Sequence, residues 1–107
     1  MFDIVKLREK LIDELDVPKS AAEGIIEKAK KLQPEIAASF EKWLESGTID
    51  TIEIEGYTLE KLMHERKMNI VSAYLLLDWL KREPEAAKNA MRTREFANSA
   101  AARLKKL

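Results

Sequence analysis

The sequence predicts a mainly α-helical domain: a compact bundle of five or six helices around a buried central helix at about 70–82, with one short β segment at about 49–55. Three observations predict that class. The window Ile-Val-Ser-Ala-Tyr-Leu-Leu-Leu-Asp-Trp-Leu, from Ile70 to Leu80, is apolar all round a helical period, interrupted only by Ser72 and Asp78. A helix apolar on every side belongs in an interior. The segments before and after it carry apolar residues on one helical face. The stretch Thr48 to Tyr57 breaks the helical period and is rich in β-branched residues, which favour strands.

Composition sets the bounds. At 107 residues the chain makes one domain, 1–107, with a single core. Apolar residues are 46% and charged residues 36% of the chain, which is a globular rather than a disordered composition. There is no cysteine, so there is neither a disulfide framework nor thiolate chemistry. The window at 70–80 is shorter than the ~20 apolar residues that span a bilayer, so no membrane partner is expected. The N-terminus, Met-Phe-Asp-Ile-Val-Lys, lacks a basic region followed by an apolar run. It does not read as a secretory signal, and a cytoplasmic location is expected.

The elements follow in order. Asp3 is placed to cap a first helix. Ile4, Leu7, Leu11 and Leu15 follow at helical spacing, with Ile12 widening the stripe. That helix should stop near Asp16, because Pro18 biases Val17 away from helical backbone. Ser20 to Glu23 reads as a capping box. The second helix carries Ala22, Ile25, Ile26, Ala29 and Leu32 inward. Gly24 lies inside it, either for close approach of another helix or by simple tolerance. Pro34 suits the first position of a third helix, with Ile36, Ala37, Phe40, Trp43 and Leu44 inward and Gly47 closing it. Two helices meeting at Gln33-Pro34 are preferred; one long helix kinked at Pro34 is the alternative.

Within the β segment, Ile52 and Ile54 alternate with Thr51, Glu53 and Glu55. It reads as the only strand, with Gly56 turning the chain. Thr58 should cap a short fourth helix with Leu59, Leu62 and Met63 inward, and Asn69 should cap the central helix. Trp79 and Leu76 should be nearly fully buried. Arg82-Glu83-Pro84 ends the central helix. A last helix carries Ala87, Ala90, Met91, Ala97, Ala101 and Leu104, and should fray beyond about Asn98.

Chemical motifs are weak. Glu60 lies one turn before His64, the only histidine, but a zinc site needs three or four ligands. Glu53 and Glu55 read as a solvated strand face. The serines have no evident base near them in sequence. Leu59 to Leu80 has the outline of a helix-turn-helix, yet its second helix offers Leu, Tyr and Trp where base reading needs polar side chains. It reads as a structural hairpin. Phe40, Trp43, Tyr74 and Trp79 read as core; Tyr57 and Phe96 sit at element boundaries. No catalytic, cofactor or metal residue is assigned, and an enzyme is not expected.

What remains is interaction. A single strand exposes unpaired edges. Three outcomes are open: pairing with the same segment of a second chain about a two-fold axis, an irregular loop, or a short hairpin bringing Thr48 and Ile49 near Ile54. The alternation favours the first. Thr51, Ile52, Glu53, Ile54, Glu55 and Tyr57 are therefore the candidate self-association segment. The expected function is a small intracellular protein-interaction module that self-associates, with a homodimer or another protein as partner. The alternative rests on charge. Net charge is zero, but residues 81–107 carry about +5 and residues 1–80 about −5. A basic C-terminal segment suits a nucleic-acid-associated regulator, or merely solvates a terminal helix.

Overall fold

Asp3, Thr58 and Asn69 each accept a hydrogen bond from the backbone N–H three residues on, at 3.2, 3.2 and 2.8 Å. These caps start three of the helices where the sequence places them. The computed structural model describes residues 2–92. Helix α1 spans Ile4–Glu9 and runs on into a π-helical turn, Lys10–Glu14. Helix α2 spans Lys19–Ala29 and α3 spans Pro34–Ser46. Strands β1, Glu53–Ile54, and β2, Tyr57–Thr58, form an antiparallel pair. Helix α4 spans Leu59–Glu65 and α5 spans Ile70–Arg82. The chain is helical again over 84–92, here α6. The structure is thus mainly α, with a short two-stranded sheet.

Pro34 occupies the start of α3, and a turn at residues 30–33 separates it from α2. Gly47 ends α3 at φ 76° with its N–H on the Trp43 carbonyl at 2.7 Å, which is left-handed backbone that glycine adopts without Cβ strain. One contiguous core joins Leu7 of α1, Leu11 of the π-helical turn, Ala22, Ile26 and Ala29 of α2, and Ile36, Phe40, Trp43 and Leu44 of α3. It continues through Leu59, Leu62 and the inner face of α5 to Ala87 and Met91 of α6. Tyr74 is fully buried at its centre. Its ring stands edge-on to Phe40 at 5.3 Å and 89°, and its hydroxyl lies 2.8 Å from Ser39 Oγ. It also donates to the Ser39 carbonyl at 3.1 Å. That bond lets a phenol be buried without a stranded polar group.

Several expectations change. The central helix is not interior on every side. Ile70, Val71, Ala73, Tyr74, Leu77 and Leu80 are buried, but Trp79 is 37% exposed and Leu76 is only half-buried. A bundle this small has too few neighbours to surround one helix, so α5 packs on α3, α4 and β1 and leaves its outer face open. The Ser20–Glu23 capping box does not form. The α2 helix starts at Lys19 after Pro18 with no side-chain cap, and Arg8 of α1 takes the Glu23 carboxylate at 2.7 and 3.2 Å. With Pro18 at the N-cap, Ser20 already lies inside the first turn and cannot serve as the cap. Of the two readings of Gly24, simple tolerance holds, since open space surrounds it and no helix approaches there. The β segment is not a lone strand, since Ile54 pairs with Tyr57 and Glu53 with Thr58. It is also shorter than 49–55, and the hairpin turns at Glu55-Gly56 rather than around Asp50-Thr51. The expectations for Phe96, Ala97, Ala101 and Leu104, and for fraying beyond Asn98, lie outside the described residues.

Burial pushes the Tyr74 phenol above its ordinary range, with the Ser39 hydrogen bond opposing and the Asp50 carboxylate adding to the rise. The unfolded phenol ionises near pH ~10, while the folded one resists. Stability from this group is therefore whole below that pH and is lost as pH climbs above it. Denaturant titrations from pH 8 to 11 should show a wild-type decline that Tyr74→Phe lacks in part. At neutral pH Tyr74→Phe should cost about 1–3 kcal/mol for the partner it leaves unpaired.

The two exposures also rank two aromatic truncations. Phe40→Ala should cost about 3–5 kcal/mol, and Trp79→Ala well below that. Equal losses in parallel urea melts would mean that Trp79 is packed as tightly as Phe40.

Candidate functional site

Chemistry at α5 begins with what each side of the helix touches. On the inner side, Asp78 accepts the Gln33 N–H at 2.9 Å and pairs with Arg82 at 2.9 Å. Arg82 in turn donates to the Lys31 carbonyl, and Lys81 pairs with Glu35. These bonds tie the turn between α2 and α3 to the C-terminal half of α5. They explain why an acid interrupts the apolar window at Asp78. On the opposite side, Ser72, Leu75, Leu76 and Trp79 follow one another at i, i+3, i+4 and i+7, the spacing of one helical face. Ser72, Leu75 and Leu76 are half-buried and Trp79 is exposed. The Trp79 indole donates Nε1–H to Glu83 Oε2 at 3.1 Å. The ring is thereby held in place with its polar edge satisfied and its apolar surface open.

The predicted segment lies beside this face, because β1 packs on α5. Ile52 and Ile54 are half-buried against the core, while Thr51, Glu53 and Glu55 are exposed. The alternation read from the sequence therefore holds. Tyr57 is half-buried, with the Arg66 guanidinium 5.9 Å from its ring centre. Glu55 and Gly56 turn the hairpin at φ 54° and 80°. Positive φ at both central residues is the geometry that matches strand twist. Lys88 of α6 holds the Glu55 carboxylate at 2.9 Å, and that bond raises the Lys88 pKa. Among the described residues the two-stranded sheet has no third strand.

The other candidates are dispersed. His64 and Glu60 are both exposed on α4, and no group of three or more potential metal ligands gathers among the described residues. The Ser39 hydroxyl is engaged by Tyr74, and Ser46 Oγ donates to the Lys42 carbonyl at 2.8 Å. Glu53 and Glu55 stand on a solvated edge. No described helix is long and apolar enough to cross a membrane. Compared with known proteins, the chain matches no family model, no curated protein and no solved structure.

Sequence reasoning found the strand segment but not its partner Tyr57–Thr58, and missed the outer face of α5. The signal was present but ambiguous: an all-apolar helix has no polar face to mark its outside. Asp78, the strongest polar cue, points to the α2–α3 turn and away from the solvent side.

Glu55 occupies left-handed backbone at a cost of about 1 kcal/mol, and its ion pair with Lys88 is exposed and so worth little. Asparagine adopts that backbone more readily. Glu55→Asn should therefore raise the thermal midpoint at moderate salt. A lower midpoint would mean that the Lys88 contact outweighs the backbone strain.

Proposed function

We propose that the chain is a small cytoplasmic protein-interaction module that associates with a second copy of itself. The observation that carries this reading is the exposed, pre-oriented indole of Trp79 beside Leu75 and Leu76. Tryptophan dominates the energetics of many interfaces, and here its ring lies open beside the half-buried Leu75 and Leu76. The hairpin segment, Thr51 to Tyr57, adds a second surface whose outer edges carry no third strand among the described residues. A chain free of cysteine needs no oxidising compartment to fold, which suits the cytoplasm.

The competing class is a nucleic-acid-associated regulator, favoured by the basic bias of residues 81–107. Against it, Lys81, Arg82 and Lys88 already pair with Glu35, Asp78 and Glu55. Cations neutralised by neighbouring carboxylates release fewer counterions on a phosphate backbone.

Sedimentation tests the reading. The wild-type chain should sediment as a dimer at high micromolar concentration; a monomer throughout that range rules self-association out. Steeply salt-dependent binding to generic duplex DNA would favour the competing class. Glu53→Pro removes a donor that a strand ladder needs, so loss of the dimer in that variant would place the interface at the hairpin.

A further inference from the structure

We propose that two copies pair through the outer faces of α5, antiparallel, about a two-fold axis passing between Leu75 and Leu76. The proposal rests on the self-association reading and names its surface. The order of side chains along the stripe argues for it. Ser72, Leu75, Leu76 and Trp79 run from the smallest to the largest side chain toward the C-terminal end of α5. A parallel pair would set Trp79 on Trp79 and leave a hollow between two serines. An antiparallel two-fold pair is self-complementary, each contact occurring twice. It lays each Trp79 over the partner's Ser72, the smallest side chain of the stripe, and sets Leu75 against the partner's Leu76.

Charge at the two ends gives the same orientation. Glu83 follows the C-terminal end of α5 and Lys67 precedes its N-terminal end, and both are exposed. Antiparallel pairing brings each Glu83 toward the partner's Lys67. Parallel pairing would set like on like, which disfavours that arrangement. The bond from Trp79 Nε1 to Glu83 completes the argument. The indole N–H keeps its acceptor while the ring face is covered, so burial strands no polar group, and the fixed side chain has less freedom to lose on association.

The test is sedimentation equilibrium on the full-length chain, with each variant's melting curve recorded beside it. Ser72→Glu is the main variant. It puts an acid in the first turn of α5, where the helix dipole favours one, so the monomer should stay folded. The same change fills the space under the partner's Trp79 with charge, so the dimer should weaken roughly tenfold or more. Lys67→Glu should also weaken it, and adding Glu83→Lys should recover the part lost to like charge but not the part carried by the Trp79–Glu83 bond. A wild-type dimer unmoved by Ser72→Glu, but dissociated by Glu53→Pro, overturns the α5 interface and leaves self-association standing. A wild-type monomer throughout the concentration range overturns both.

Discussion

Burying Tyr74 is the constraint on which the arrangement of the helices depends. Its ring is fully buried, packed edge-on to Phe40 and 6.5 Å from Trp43. A phenol in that position must hydrogen-bond or forfeit the free energy of burial. Ser39, one residue before Phe40, supplies both a hydroxyl and a carbonyl. The pair fixes the register of α5 on α3 and turns Leu77 and Leu80 into the same interior. Phe2 closes the other side of the cluster, edge-on to Phe40 at 5.4 Å.

With that register set, the remaining polar residues of α5 have little choice. Asp78 comes beside the N-terminus of α3, where a carboxylate accepts an otherwise unpaired N–H. Arg82, one turn on, reaches the carbonyl of Lys31. The inner and flanking sides of α5 are thereby consumed. Trp79, opposite them, is left with only Glu83 to bond. Its exposure follows from the geometry that buries Tyr74: a helix of 13 residues cannot turn all its large apolar side chains toward one core.

Features governed by near neighbours in the chain were legible from the sequence. Asp3, Thr58 and Asn69 cap because their side chains reach a backbone N–H three residues away. Pro34 and Gly47 bound α3 because their own backbone preferences suit its ends. The apolar stripes of α1, α2 and α3 point inward as their periodicity requires. Of the candidate surface, the alternation of Ile52 and Ile54 with Thr51, Glu53 and Glu55 was legible for the same reason, since successive residues of a strand face opposite ways.

Features decided by competition between distant segments were not. Ser20 and Glu23 have capping-box spacing, yet Ser20 lies inside the first turn after Pro18, and Arg8, 15 residues away from Glu23 in the chain, holds the glutamate. The strand segment was visible, but its partner, Tyr57–Thr58, was not, because pairing depends on a turn with Glu55 in backbone that few residues adopt. An all-apolar helix announces burial without saying which side is buried. The sequence by itself determined most of the described helices, the caps at Asp3, Thr58 and Asn69 and the one break toward β structure, all set by interactions within a few residues. Only the tertiary structure decided that Tyr74 faces in and Trp79 faces out, because that choice depends on which helices are present to cover α5.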